Sequence, residues 1–167
     1  MLVFLILFSA SYSQPDEPTP PKIIVTVNGK AIEYVVGLNK WNGVIYQNIN
    51  NFQTIMKEDS GTEILYVKLW ETILIEFKEN APKKTKLYDK LLKPDGSNKY
   101  EDKITMKLPV KFVDGKSSFK LESQMASQLS SYSKDYEDGN TLRGFRLICT
   151  WGENECEYVF VIRTDAK

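Results

Sequence analysis

The clearest alternation of apolar and polar positions lies near the C-terminus. Two β-rich runs, 145–150 and 156–162, flank the turn sequence WGEN at 151–154. Gly and Asn accept the positive φ that tight hairpin loops need, so this stretch predicts a β-hairpin. The loop length places Cys149 directly opposite Cys156, within reach of a disulfide bond.

A second hairpin signal lies closer to the N-terminus. The β-branched runs 23–27 and 31–36 flank the tripeptide Asn-Gly-Lys at 28–30, and Asn-Gly in such a context is a strong short-range hairpin signal. Residues 37–42 then predict a loop, and Asn-Gly at 42–43 predicts a second turn.

Two further segments predict strands. Residues 63–78 are strongly hydrophobic and indicate either one long central strand or two strands broken near residues 70–72. Residues 104–113 alternate, with apolar side chains on one face. Pro109 in that segment is typical of an edge strand or a bulge. The opposite face carries Lys103, Lys107 and Lys111.

Apolar residues at helical spacing predict helices over 44–57 and 118–134, with a short helix over 84–92. The apolar positions of the second helix are Leu121, Met125, Leu129 and Tyr132. Because the predicted strands come in hairpins, the sheet should be largely antiparallel. The expected fold class is α+β, with two or three helices beside one curved sheet or open barrel and a disulfide-pinned C-terminal hairpin.

The N-terminus predicts a compartment. An apolar run at 2–8 is too short to span a bilayer, and small residues follow at Ser11 and Ser13. This pattern predicts a secretory signal peptide over 1–13; the alternative is a buried N-terminal strand. Residues 14–22 are a Pro-rich spacer, and residues 23–167 are expected to form a single globular domain. The expected location is extracellular.

The cysteine count supports the same compartment. Two cysteines that are close in sequence and flanked by strands indicate one disulfide bond, Cys149–Cys156, formed under oxidising conditions. The alternative is a pair of buried free thiols.

The strongest exclusions come from absent residues. The sequence has no histidine, which removes serine and cysteine catalysis that depends on His and also His-ligated zinc. Phosphate-binding, nucleophile-elbow and EF-hand motifs are also absent. The 22 basic and 22 acidic residues give zero net charge, so nucleic acid is not an expected partner. We expect no cofactor and no metal.

Charge is unevenly distributed along the chain. Residues 78–120 contain twelve Lys against six Asp plus Glu, a local charge of +6. Lys103, Lys107 and Lys111 could therefore attract an anionic partner. The alternative is that lysines on an exposed edge strand prevent pairing between sheets.

Aromatic residues give a second candidate surface. Trp151 lies at the predicted hairpin tip, where an exposed Trp would be an interface anchor or a platform for a sugar ring, with Tyr136 and Tyr158 near it. The alternative is that Trp151 folds over the sheet as a lid on the core. Trp41 and Trp70 are assigned to the core.

These observations favour a secreted, non-enzymatic binding module that engages an extracellular protein or glycan and does not stay inserted in a membrane. A second hypothesis is a secreted hydrolase that uses paired carboxylates. Its candidate residues are Glu71, Glu76, Asp135, Glu137 and Asp138. A third hypothesis is a carrier with a lipid-sized cavity.

Overall fold

The computed structural model describes residues 19–47, 51–57 and 61–167, except for the side chain of Lys103. The predicted signal peptide and most of the Pro-rich spacer lie outside these ranges. Within them, ten strands form two sheets, accompanied by two short helices. Every pairing between the named strands is antiparallel, which agrees with the predicted strand direction and with the α+β class.

The first sheet has four strands in the order β2-β1-β5-β8. The second sheet has six strands in the order β4-β3-β10-β9-β6-β7. The strands are β1 (Ile23–Val27), β2 (Lys30–Ile32), β3 (Tyr34–Trp41), β4 (Val44–Gln47), β5 (Thr72–Phe77), β6 (Lys84–Leu92), β7 (Met106–Leu108), β8 (Lys116–Lys120), β9 (Thr141–Trp151) and β10 (Asn154–Thr164). The helices are α1 (Asn51–Met56) and α2 (Met125–Gln128).

The two sheets pack face to face around one main core. Strands in both sheets alternate, so each sheet has one apolar face to bury, and the stable solution is a sandwich. The expectation of one curved sheet or barrel is therefore wrong. Along the named strands the chain changes sheets five times, after β2, β4, β5, β7 and β8, and the first of these changes is at Glu33. Aromatic rings fill the space between the sheets, among them Phe77, Phe119, Phe145, Tyr158 and Phe160.

The C-terminal hairpin is confirmed and is longer than predicted. β9 and β10 pair along their whole length, with Trp151 opposite Asn154 and Gly152 at φ 60° in the turn. The other two predicted Asn-Gly turns are also present, at 28–29 and 42–43. Both residues of each turn have positive φ, as the type I′ hairpin turn requires.

The predicted disulfide is wrong. Cys149 and Cys156 are paired in register, but both thiols are free and buried in the core. Directly opposed residues in antiparallel strands have Cβ atoms about 4.5–5.5 Å apart, whereas a disulfide prefers about 3.8 Å. Burial raises the pKa of both thiols, that of Cys156 to about 11. The pair therefore acts as two small protonated core side chains.

Several predicted helices and loops are strands in the structure. The segment 84–92 is β6, because Leu87, Asp89 and Leu91 alternate into the sandwich. The predicted loop 37–42 belongs to β3, apart from its last residue. The predicted helix 44–57 begins instead as β4 and contains α1 only near its end.

The break predicted near 70–72 is present, but only the part after it is a strand; the part before it forms an isolated bridge, Tyr66 with Arg163. Trp70 has a φ of 72°, and β5 begins only at Thr72. The edge position of β7, directly before Pro109, is confirmed.

The outer face of the six-stranded sheet carries a second, smaller core under α1. Phe52 and Ile55 of the helix pack there with Val159 and Val161 of β10. In the described ranges, no helix is long and apolar enough to cross a membrane.

Candidate recognition surface

Trp151, the predicted anchor, covers the core. Its ring lies edge-on to Trp41 and Phe77, with centroid distances of 5.2 and 5.8 Å. The indole Nε1 donates a hydrogen bond to the Asn80 carbonyl oxygen at 2.7 Å. Trp70, which the sequence assigned to the core, is instead 60% exposed. Trp151 therefore follows the alternative in which it folds over the sheet as a lid on the core, whereas the core assignment of Trp70 is wrong.

Of the two predicted tyrosines, Tyr158 lies near Trp151, because the Phe77 ring contacts both, whereas Tyr136 lies at the other end of β9. Tyr158 is buried, its hydroxyl donates to the Pro21 carbonyl oxygen, and burial raises its pKa. Tyr136 is exposed beside the first residue of β9, where Thr141 Oγ1 donates to the Asp135 carbonyl oxygen at 3.3 Å. Trp151 ends the same strand, roughly 33 Å away at about 3.3 Å per residue.

The predicted lysines occupy a third region. Lys107 is exposed on the edge strand β7, and Lys111 is exposed in the segment that follows it. Lys103 belongs to a one-turn helix, Asp102–Ile104. The structure thus does not bring Trp151, the tyrosines and the lysines together into one site.

A different segment carries an unusual surface. Between β8 and β9, three large apolar side chains point outwards, with Met125 74%, Leu129 76% and Tyr132 65% exposed, whereas Leu121 at the start of the segment is buried. Three polar side chains beside them point inwards. The exposed fraction is 1% for Gln124, 4% for Ser127 and 8% for Ser130. We call Met125, Leu129 and Tyr132 the recognition surface.

Hydrogen bonds hold this segment in its inverted orientation. Ser127 Oγ lies 2.7 Å from the Gln124 carbonyl oxygen and 2.9 Å from the carbonyl oxygen of Ala166, beyond the end of β10. Gln124 Nε2 donates to the Asp89 carbonyl oxygen at 3.4 Å. Ser127 is therefore held to the chain just beyond β10 and Gln124 Nε2 to β6, while Gln124 Oε1 has no partner among the described residues.

A carboxylate fixes the other end of the segment. Asp135 accepts hydrogen bonds from Ser130 Oγ and Lys99 Nζ. Partial burial opposes ionisation of Asp135, but these two hydrogen bonds outweigh it and hold its pKa below the usual value. The ammonium group of Lys99 also lies over the Tyr132 ring, 5.4 Å from its centroid.

The start of the segment rests on a buried ion pair. Arg143 donates from Nη1 to the Glu122 carbonyl oxygen at 2.5 Å and makes a two-point contact with the Asp89 carboxylate. Both charged side chains are buried in the sandwich. The recognition surface is thus attached at its beginning, middle and end.

The segment that carries the recognition surface is acidic, although Lys99 from outside it lies over Tyr132. Residues 121–140 contain one lysine and four acids, a net charge of −3. An anionic lipid surface would repel such a segment.

The sequence signal for this segment was present but ambiguous. Met125, Leu129 and Tyr132 follow helical spacing, which normally marks a face that packs on the core. Gln124, Ser127 and Ser130 repeat every three residues beside them, and they are the residues that point inwards. Only the tertiary contacts decide which of the two sets is buried.

Two of the carboxylates proposed for hydrolysis, Glu71 and Asp135, have different partners in the structure. Glu71 accepts from Asn28 Nδ2 at 2.8 Å and from the Lys68 N–H at 2.9 Å, whereas Asp135 is held by Lys99 and Ser130. Across residues 19–47, 51–57 and 61–167, no three acidic or cysteine side chains form a group that could hold a metal ion.

Neither a family model nor a curated protein sequence matches this chain. The function is therefore inferred from the surface itself.

Proposed function

We propose that the chain is a secreted, non-enzymatic recognition module that binds an extracellular protein through Met125, Leu129 and Tyr132. The observation that supports this function is the inversion of the segment, with polar side chains buried and large apolar side chains in solvent. Folding alone favours the opposite arrangement, because apolar burial is the dominant favourable term. A partner that covers the surface recovers that free energy.

The energetics fit a small interface core. Full burial of a Leu or Met side chain contributes about 1.5–3 kcal/mol. The backbone of the segment is already held by the Ser127 and Asp135 contacts, so binding need not order it. Met and Tyr are also enriched in the cores of protein interfaces.

A protein partner fits better than a glycan or a membrane. A sugar ring stacks on an open aromatic face, but the Lys99 ammonium already lies over the Tyr132 ring. The net charge of −3 over residues 121–140 disfavours an anionic membrane surface. A protein interface tolerates both features, because its rim is polar.

Secretion rests on the N-terminal pattern alone. The apolar run at 2–8 with Ser11 and Ser13 is typical of a signal peptide. Because Cys149 and Cys156 form no disulfide bond, they give no evidence that the chain folds in an oxidising compartment.

Position-specific crosslinking tests the function. A photo-reactive phenylalanine analogue replaces Leu129 in one variant and Ile45 in the other; both sites are exposed, and Ile45 lies on β4. After irradiation in the medium of secreting cells, a defined protein adduct should form from position 129 and not from position 45. Equal labelling from both positions, or no adduct from position 129, would contradict the proposal.

A further inference from the structure

A groove lies on one side of the sandwich, where the chain crosses from β7 to β8. Residues 109–113 leave the edge of the six-stranded sheet, turn at 114–115 and return as the edge strand β8 of the other sheet. The open groove between the two arms has a volume of about 500 Å³. Its walls are Leu74, Pro109, Val110, Lys111 and Lys116–Ser118.

The backbone of β8 can be assigned from its pairing. The Phe77 N–H donates to the Gly115 carbonyl oxygen at 2.8 Å, directly before β8 pairs with β5. In an antiparallel ladder, hydrogen-bonded pairs alternate with non-hydrogen-bonded pairs. Ser117 is therefore bonded to β5, whereas Lys116 and Ser118 direct N–H and C=O to the free edge.

Of these two residues, only Lys116 forms backbone hydrogen bonds at the free edge. Lys116 and Val113 exchange two backbone hydrogen bonds of 2.9 Å, which close the turn. Beyond this bridge the arms separate. In the described part of the chain, no hydrogen bond reaches the N–H or the C=O of Ser118. A donor and an acceptor thus face the groove side by side.

The side chain of Ser117 points away from the groove. It is 6% exposed, on the same face of β8 as Phe119, and its Oγ has no hydrogen-bond partner among the described residues. Leu74 and Val110 supply apolar walls at the groove itself. A ligand with an extended backbone and alternating apolar side chains matches this arrangement.

The positive charge of the groove indicates which kind of extended ligand it can bind. Residues 103–120 carry five lysines and one aspartate, a net charge of +4. Among these, Lys111 and Lys116 line the groove itself. The one salt bridge formed by Lys116, to Glu76 at 3.5 Å, is exposed and therefore weak. The same lysines repel a second copy of this edge, so an acidic strand is the complementary occupant.

We propose that this groove binds an extended acidic peptide, which adds as a strand to the free edge of β8 and pairs with the backbone of Ser118. The peptide residue opposite Ser118 donates its N–H to the Ser118 carbonyl and accepts from the Ser118 N–H. Side chains alternate between the two faces of a sheet, so an acidic side chain at that residue, and at the residues two positions away, lies on the same face as Lys116 of β8. Lys111 lines the groove beside it. This site is separate from the recognition surface, although the segment that carries that surface follows directly after β8.

Fluorescence anisotropy with a labelled Glu-Val-Glu-Val-Glu peptide tests the proposal. The acidic peptide should bind, the matching Lys-Val-Lys-Val-Lys peptide should not, and added salt should weaken binding. N-methylation of the central glutamate, the residue placed opposite Ser118, should weaken binding at least tenfold, because it removes the N–H donor. Equal binding of the acidic and basic peptides, or no loss on N-methylation, would overturn the proposal.

Two protein variants complete the test. Ser118→Pro removes only an N–H that faces the free edge, a position where edge strands tolerate Pro, and should weaken peptide binding at least tenfold. Lys111→Glu should weaken it similarly, whereas Lys30→Glu on β2, at the far edge of the same sheet, should not. Binding that survives both groove variants contradicts the site. Crosslinking from position 129 is independent of these results, so the two proposals fail separately.

Discussion

Arg143 of β9 and Asp89 of β6 are diagonal neighbours in the ladder and form a buried, two-point ion pair. Arg143 Nε lies 3.2 Å from Asp89 Oδ1, and Nη2 contacts Oδ2. The third guanidinium nitrogen bonds to the Glu122 carbonyl oxygen, where the segment with the recognition surface begins. The pair therefore links the interior of the sandwich to the proposed binding surface.

Removing one partner of this pair should destabilise the fold strongly. Asp89→Ala leaves the Arg143 charge buried without a counter-charge, which typically costs about 3–5 kcal/mol. The free energy of unfolding from chemical denaturation measures the effect. Lys116→Ala, at the exposed pair with Glu76, is the control and should change stability by less than about 1 kcal/mol.

The double variant Asp89→Leu/Arg143→Met separates pairing from packing. Replacement of both charges by apolar side chains of similar size should recover most of the lost stability. A double variant as unstable as Asp89→Ala would show that the charges themselves are required.

The inverted segment should depend on its polar residues for stability. Ser127→Ala removes hydroxyl contacts to two carbonyl oxygens, one of them at Ala166, and should cost about 1–2 kcal/mol. Leu129→Ser replaces an exposed side chain and should change stability by less than about 0.5 kcal/mol. Thermal or denaturant unfolding checks both values. The reverse order would mean that Leu129, not Ser127, is packed in the native state.

The free thiols should make stability fall at alkaline pH. Burial is the main cause that raises the pKa of Cys149 and Cys156, the latter to about 11 from near 9. Both thiols ionise less readily in the folded chain than in the unfolded chain. Their contribution to stability is therefore fully present below the thiol pKa of the unfolded chain, and it is lost as the pH rises towards 11. The slope reaches at most about 1.4 kcal/mol per pH unit for each thiol.

Denaturation curves between pH 7 and 11 measure this loss. The Cys149→Ala/Cys156→Ala variant should show a shallower decline than the native chain, because other groups still titrate. Identical slopes would contradict the buried thiols. An intact mass that rises by two hydrogens on reduction would contradict the unbonded state.

Trp70 should dominate quenching of the fluorescence by a solute such as acrylamide. It is exposed, whereas Trp41 is buried and Trp151 is half-buried against it. Trp70→Phe should therefore abolish most of the easily quenched emission, and Trp151→Phe should leave that component largely in place. If only Trp151→Phe removed the easily quenched emission, Trp151 at the hairpin tip would be the exposed tryptophan, and the structure would be contradicted.

Local signals predict the hairpins of this fold well. The Asn-Gly turns at 28–29 and 42–43 follow from backbone preference, and the register of Cys149 with Cys156 follows from loop length. These features depend only on neighbouring residues. The disulfide does not, because it requires a Cβ separation that sequence spacing cannot supply.

Packing decides what local signals leave open. Residues 84–92 have both helical and strand spacing, and pairing with β9 on one side and β7 on the other makes them a strand. Met125 and Leu129 match a buried helix face, yet partners for Gln124 and Ser127 turn the segment the other way. The recognition surface could not be predicted, because its exposure depends on contacts with β6 and the C-terminal strand.

The most direct test of the proposed function is equilibrium binding of the partner identified by crosslinking. Met125→Ser/Leu129→Ser should weaken binding about a hundredfold or more, from two side chains worth roughly 1.5–3 kcal/mol each. Val44→Ser/Ile45→Ser, which removes exposed apolar area from β4, should leave the dissociation constant unchanged. Equal dissociation constants for both double variants and the native chain would contradict recognition through this surface.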